Sequence, residues 1–394
     1  HTTGIQKNGV ISNNRIELTG DDAIAVDSDI GAQALAQAEN ITVIGNVILN
    51  HSANHTNLLG RGILVYGAKD VVVTGNTIKN SYSFGILCSP DTSTTPQNCE
   101  NVIISNNTVI DAGSSGDGAQ PRSGIKLEDC TTCSVTGNII KNANQSGIIL
   151  DGGTFCTASN NSIKECGTAG GHHGVHMIGE SNGFVTSNDI VQSAASGIFI
   201  DSATTFMTVA ENRCSNNGDY TSGSAGSRAG VRIESTGSII LRNNTCFNTA
   251  GISTQLYGFA VNNTSKTVYE SGNIAFANAS VNFSANTVPI YENREFNGRK
   301  KLAFSNLTGA TPDVKEVRNI DYTASSQTIT DFNNGLEGQE IVVHFVGSGN
   351  TVDFTGTNLK GNGGVDWSPA VGEVMRCINV DGTNWVCDVI DRKS

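Results

Sequence analysis

Gly147-Ile148-Ile149-Leu150, followed 14 residues after its glycine by Asn161-Ser162-Ile163, is one copy of a pattern that organises most of this 394-residue chain. The asparagine phrase recurs as Asn14-Arg15-Ile16, Asn46-Val47-Ile48, Asn76-Thr77-Ile78, Asn107-Thr108-Val109 and Asn138-Ile139-Ile140. It continues as Asn188-Asp189-Ile190, Asn212-Arg213-Cys214, Asn244-Thr245-Cys246 and, more weakly, Asn273-Ile274-Ala275. The glycine phrase alternates with it, from Gly62-Ile63-Leu64-Val65 to Gly230-Val231-Arg232-Ile233, with Ala23-Ile24-Ala25-Val26 in the same slot of the first unit. Short alternating strands joined by Asn and Gly turns at a period of two to three dozen residues specify a β-solenoid, in which each repeat buries its apolar face against its neighbours.

The spacing says where the coils vary. From glycine to the next asparagine the step is 14 or 15 residues in most units, whereas from asparagine to the next glycine it ranges from 9 to 18. Insertions therefore enter mainly before the glycine strand, at about 50–61, 111–123, 167–173, 217–229 and 248–257, with another at 88–98 on a different corner. Loops stacked at one corner build a wall beside one face, and that face is the place to look for function.

Composition narrows the possibilities. Forty-five glycines and six prolines with only 15% charged residues suit a β-rich chain with many tight turns. No stretch approaches the 18 or so apolar residues of a membrane span. A net charge of -12 argues against nucleic acid, whose phosphates would be repelled. It leaves room for an acidic polysaccharide, because local cations can outweigh the global charge. Cys130-Thr131-Thr132-Cys133 has the spacing of half a zinc site, but no matching second pair follows. Cys214 and Cys246 instead fill the aliphatic slot after the asparagine, and Cys133 and Cys156 each lie nine residues after their glycine. These are expected to be core residues stacked in columns, and neither metal nor cofactor is implied. Because repeat grammar begins near residue 1 without a cap, a longer chain is expected upstream.

The grammar changes towards the C-terminus. Residues 1–284 read as the solenoid, 285–315 as a transition, and 316–394 as a compact antiparallel β domain, sandwich-like, for oligomerisation or carbohydrate binding. The last part has longer alternating strands at Gln339–Val346, Thr351–Phe354, Glu373–Val380 and Asn384–Ile390, the last two joined by the turn Asp381-Gly382-Thr383.

Along each glycine strand the residues one and three after the glycine are apolar and must point inward, so those two before, two after and four after point outward. In the middle coils these outward columns bring together acids, cations and rings. Glu128, Asp151, Asp201 and Glu234 are candidate catalytic carboxylates. Lys126, His172, His176, Arg228 and Arg232 are candidate substrate-binding residues, with Phe199 as a stacking face. Coils stack at about 4.8 Å, which puts Asp151 and Asp201, two coils apart, roughly 9–10 Å from each other. Inverting glycosidases separate their carboxyls by about 6.5–9.5 Å. A lyase would instead use His176 or Lys126 as base and Arg232 to stabilise an anion. A plainer alternative is a solvated polar face whose acids hold turns. A second candidate stretch, Gly20-Asp21-Asp22-Ala23-Ile24-Ala25-Val26-Asp27, places two adjacent acids just before a strand.

The asparagine–glycine coil phrase over roughly residues 5–280 resembles the right-handed parallel β-helix of pectin-degrading enzymes and phage tailspikes. Gly20-Asp21-Asp22-Ala23-Ile24-Ala25 is similar to the Gly-Asp-Asp-x-Ile-Ala segment of polygalacturonases, a resemblance that implies catalytic acids at Asp21 and Asp22 and inverting hydrolysis. Gly60-Arg61-Gly62 and Ala229-Gly230-Val231-Arg232-Ile233-Glu234 match the family's later segments only loosely, and its Asn-x-Asp segment is absent. The β domain after the solenoid resembles the tail ends of tailspike depolymerases. That implies a homotrimer on a virion tail, outside the cell, with a virion-attachment region upstream and a bacterial capsule or O-antigen as partner. The expectation is an endo-acting glycoside hydrolase on this surface polysaccharide, with a lyase or epimerase, or a non-catalytic adhesin, as alternatives.

Overall fold

The computed structural model describes residues 7–17, 21–28, 37–49, 60–91, 96–113, 122–167, 171–201, 203–218, 228–235, 237–249, 254–261 and 268–279. It also describes the backbone of strands at 281–285, 290–291, 294–295 and 304–306, then residues 307–315, 317 and 319–389, and the backbone of 390. The insertions read at 50–61, 111–123 and 217–229 fall largely outside these residues, and those at 88–98, 167–173 and 248–257 in part. The chain divides into two compact units, His1–Lys300 and Lys301–Ser394.

The first unit is a parallel β-helix, as the repeat requires. Among the described residues the stack holds three parallel sheets, and each coil contributes one short strand to each. The glycine sheet has 10 strands, running from Ile24–Asp27 through Ile148–Asp151 to Val281–Ala285. Next along each coil comes an 11-stranded valine sheet, from Val10–Ser12 to Ile290–Tyr291. An 11-stranded asparagine sheet, from Arg15–Glu17 to Arg294–Glu295, completes the turn. The three ladders therefore run one coil past Asn273, where the sequence phrase fades.

Both phrases have a physical cause. The asparagines form one continuous ladder at the corner between the valine and asparagine sheets. Asn138 Nδ2 donates to Asn161 Oδ1 at 3.0 Å, and Asn161 Nδ2 to Asn188 Oδ1 at 2.9 Å. The same linkage joins Asn14 to Asn46 and, at the far end, Asn244 to Asn273. Each rung is reinforced: Asn161 Nδ2 also donates to the Val135 carbonyl at 2.9 Å, and the Asn161 backbone N–H donates to Asn188 Oδ1 at 3.0 Å. From Asn46 to Asn273 these asparagines are buried, so only full satisfaction makes them tolerable. The glycines mark where coils approach too closely for a side chain. A Cβ on Gly124 would lie 2.6 Å from the Gly147 carbonyl, and one on Gly147 2.7 Å from that of Gly174.

The interior is filled by the inward alternates, such as Ile148, Leu150, Val175 and Met177, all 0% exposed. Cys133, Cys156, Cys214 and Cys246 are buried with them as free thiols in the core columns, and burial pushes the Cys166 thiol up to about 12. Among the described residues no helix is long and apolar enough to cross a membrane.

The second unit is built on a six-stranded sheet in the order Phe304–Leu307, Asn319–Tyr322, Glu340–Phe345, Val374–Asn379, Trp385–Ile390 and Leu359–Gly361. The sheet is mixed, where alternation alone suggested antiparallel. The hairpin Val374–Asn379/Trp385–Ile390 is antiparallel, turning on Gly382 with φ +84°. Leu359–Gly361 and the first three strands pair in parallel, because segments between strands, not tight turns, reverse the chain there. Its core holds Trp385, Tyr322 and Phe345, with Trp385 Nε1 donating to the Phe332 carbonyl at 3.1 Å. Cys377 and Cys387, opposite each other in the hairpin, form a disulfide.

Candidate active site

The glycine sheet sets its side chains as the period of two dictates. Register pairs Lys126 with Ile149, Ile149 with His176, His176 with Phe199, and Phe199 with Arg232, so these five occupy one outward column on successive coils. The next outward column pairs Glu128 with Asp151 and Asp151 with Ile178, and Asp201 and Glu234 continue it on the following two coils. The face is recessed rather than open: Lys126, Ile149 and Phe199 are each less than a tenth exposed.

Two clusters form on it. In the first, Lys126 Nζ bridges Glu128 Oε1 at 2.8 Å and Asp151 Oδ2 at 2.9 Å. Burial works against the ammonium, but the two carboxylates outweigh it and carry its pKa above the ordinary lysine value. Lys126 is therefore charged at neutral pH, which removes it as a base and suits it to position acids.

In the second cluster the Phe199 ring stacks against His176 with centroids 4.9 Å apart, and Arg232 Cζ lies 4.8 Å from the ring centre. Arg232 Nε also donates to Glu234 Oε1 at 3.0 Å. His176 Nε2 lies 3.8 Å from Asp201 Oδ2, too far for a hydrogen bond. Burial, only partly opposed by Asp201, pushes His176 down to about 4, so its imidazole is neutral at pH 7.

His173 belongs to this cluster although its sequence position, directly before the glycine, gave no reason to single it out. Its Nδ1 accepts from the Ser196 backbone N–H at 3.1 Å, which places the ring proton on Nε2. Its ring packs against both His176 and Phe199, with centroids 5.0 and 4.6 Å away. The doublet His172-His173 was the available signal.

The other candidates form different contacts. Arg228 Nε donates to the carbonyls of Gly218 at 2.8 Å and Thr254 at 3.1 Å, tying neighbouring coils together. His172 is half-buried, and that burial lowers its pKa. Asp21 is exposed, while Asp22 Oδ1 accepts from the Arg61 backbone N–H at 3.0 Å and pairs with its Nε at 3.2 Å. Burial raises the Asp22 pKa despite that arginine. The Asp21–Asp22 corner is about four coils, on the order of 19 Å, from Asp151, so the two candidate sites are separate.

Among the described residues no group of three or more His, Cys, Asp or Glu is arranged to hold a metal ion. The face presents carboxylates on four of five successive coils, a fixed cation at one end, and at the other an aromatic ring covered by a histidine and an arginine.

Residues 3–163 and 122–316 match the family described as the right-handed β-helix region. No curated protein sequence matches the chain. Similar solved structures include a point mutant of the periplasmic alginate epimerase AlgG, at 17% identity over 59% of this chain and 50% of that one, with a TM-score of 0.44. Another is the mannuronan C-5 epimerase A-module of Azotobacter vinelandii, at 12% identity over 70% and 79%, TM-score 0.44. A third is the catalytic unit of an alpha-1,3-glucanase from Streptomyces thermodiastaticus, at 17% identity over 63% and 50%, TM-score 0.38. The chain spans half the length of the first and third of these structures.

Proposed function

The chain belongs to the right-handed β-helix family, and from that premise we propose that its glycine-sheet face binds a polysaccharide chain and hydrolyses it. The observation that carries this reading is the sequence of rungs on one face: Asp151 fixed by Lys126, neutral His176 on the next coil, and Asp201 on the one after, beside Phe199 and Arg232. Two coil spacings separate the Asp151 and Asp201 backbones by about 9.6 Å, which leaves room for a water between inverting carboxyls. Asp151, already accepting from a charged lysine, takes the part of base and removes a proton from water. The water oxygen attacks the anomeric carbon, the glycosidic C–O bond breaks, and Asp201 protonates the departing oxygen. Phe199, held between His176 and Arg232 and less than a tenth exposed, has no open face for a sugar; its part is to fix those two side chains beside the bound chain.

On this reading the substrate is a bacterial capsule or O-antigen, and the chain is one subunit of a homotrimeric virion tail spike. The order of a coil stack followed by a separate β domain supports that part. Purified bacterial capsules and O-antigens, incubated with the protein and followed by molecular weight and absorbance at 232 nm, test it. Shortening without absorbance is expected, abolished in Asp151→Asn and Asp201→Asn. No shortening of any polysaccharide would overturn the reading.

A second reading, a lyase or epimerase, draws on one observation: a neutral imidazole at His176 stands next to an arginine across Phe199. It predicts absorbance at 232 nm for the lyase, or altered sugar configuration without shortening for the epimerase, and dependence on His176 rather than on the Asp151–Asp201 pair.

A further inference from the structure

The coils that carry the acids differ from earlier ones on a second face, that of the valine sheet. Its first four segments open with charges: Lys7, Glu39, Lys69-Asp70 and Glu100. Their backbones bridge along the corner, Lys7 to Glu39 and Lys69 to Glu100, and Lys7 Nζ pairs with Glu39 Oε2 at 3.1 Å. The next four, 131–136, 154–159, 181–186 and 205–210, contain no charged residue at all. Their opening residues, Thr131, Thr154, Ser181 and Thr205, continue the same bridge ladder as a row of hydroxyls, with Ser181 Oγ and Thr205 Oγ1 3.1 Å apart.

Three phenylalanines stand out of this uncharged panel. Phe155 is 52% exposed, Phe184 43% and Phe206 62%. Phe155 and Phe206 occupy a corner column whose backbone is left-handed in every coil from the second to the eighth. The fold mostly fills that column with Asn or Asp: Asn40, Asp70, Asn101 and Asn182 have φ of 57°, 53°, 53° and 55°. A bulky side chain is strained there, yet Phe155 and Phe206 hold φ of 57° and 52°. Strained positions filled by exposed rings have nothing to gain from packing, which points to a task for the rings themselves. Phe155 and Phe206 are two coils, about 9.6 Å, apart, with Phe184 on the coil between them, further along its strand.

We propose that Phe155, Phe184 and Phe206 form a second glycan site, a platform that stacks a neutral stretch of polysaccharide on the coils that carry the catalytic acids. A sugar ring presents an apolar C–H face and a rim of hydroxyls. Phenyl rings match the first and the Ser/Thr/Asn row matches the second. The panel offers no cation to an acidic sugar, so its complement is uncharged; acidic residues of a chain would sit at Lys126 and Arg232 on the other face. The inference rests on the reading that a polysaccharide is the substrate, and it is tested separately from cleavage.

The test is affinity electrophoresis through gels containing each of a panel of neutral and acidic capsular and O-antigen polysaccharides, with wild type, Phe155→Asn/Phe206→Asn, and Asp151→Asn/Asp201→Asn. Asparagine suits the left-handed backbone, so the phenylalanine variant should fold with Tm equal to or above wild type. Its retention by a neutral polysaccharide should fall at least tenfold, while the aspartate variant keeps that retention and loses cleavage. Retention by a neutral polysaccharide unchanged in the phenylalanine variant overturns the platform, even if cleavage is observed. A panel in which no neutral polysaccharide retards wild type also overturns it. A sedimentation-defined oligomer that falls apart only in the phenylalanine variant would make the panel a subunit interface and overturn it as well. Neutral binding without any cleavage would sustain the platform and defeat the hydrolase.

Discussion

Two polar columns run along this β-helix, and they behave in opposite ways. At the asparagine corner the same residue recurs in coil after coil, from Asn14 to Asn273, because each rung performs the same task of accepting from the previous coil and donating to the next. On the glycine face the outward column changes at every step: Asp27, Tyr66, Ser89, Glu128, Asp151, Ile178, Asp201, Glu234. A column that holds the fold is uniform, since any exception leaves a buried group unpaired. On the proposed function the glycine-face column meets a ligand and varies because each position along a bound chain needs a different group.

The sharpest way to break that contrast is to make one substitution of each kind. Asp151→Asn or Asp201→Asn should lower the cleavage rate by roughly 10²–10⁴, the usual contribution of a general acid or base, with Tm nearly unchanged in thermal melts. Asn161→Ala should do the reverse. It removes the side chain's bonds to Val135 and Asn188 and leaves their buried partners short, costing about 2–4 kcal/mol by denaturant titration. Activity per folded molecule should be preserved. Equal stability losses for both would erase the distinction between the columns.

A third substitution probes the interior. Glu180 is fully buried at the corner between the glycine and valine sheets, accepting from the Cys156 backbone N–H at 3.1 Å. Room exists because Gly153 and Gly183 flank it: a Cβ on either would come within 2.6 and 2.8 Å of its side chain. Burial raises its pKa from 4.5 to about 7. The folded state therefore holds the proton more tightly than the unfolded chain. Its contribution to stability is complete below about 4.5 and is lost as pH rises through about 7, by about 3 kcal/mol. His176, depressed to about 4, acts oppositely, losing stability as pH falls below 6.5. The difference between wild type and Glu180→Gln across pH 4.5 to 7 isolates the glutamate, and a flat difference would contradict the assignment. The smallest effect is expected for Arg232→Lys, which keeps the charge but loses the planar stack on Phe199. KM should rise by about fivefold, near 1 kcal/mol, with kcat little changed.

Much of this was legible in the residues. A period-two strand after each glycine fixes which side chains face out, so the column of Lys126, His176, Phe199 and Arg232 followed directly from counting. Asp151 and Asp201 fell two coils apart for the same reason. What counting could not supply was anything that depends on how a side chain bends. Nothing in the spacing tells that Lys126 reaches two acids, that Arg228 turns to the carbonyls of Gly218 and Thr254, or that His173 wedges against Phe199. The Cys377–Cys387 disulfide needed the hairpin register, and the strain at Phe155 and Phe206 needed the backbone angle. The asparagines read as turn residues, but that they form a single hydrogen-bonded column became visible only once the coils were stacked.

The central claim is that a polysaccharide is cleaved by water at the Asp151–Asp201 pair. NMR of the first product released from a cleaved polysaccharide tests it most directly. The account predicts a saturated new reducing end formed with inversion at the anomeric carbon, and its loss in both aspartate variants. An unsaturated non-reducing sugar, or a product formed with retention, would contradict it.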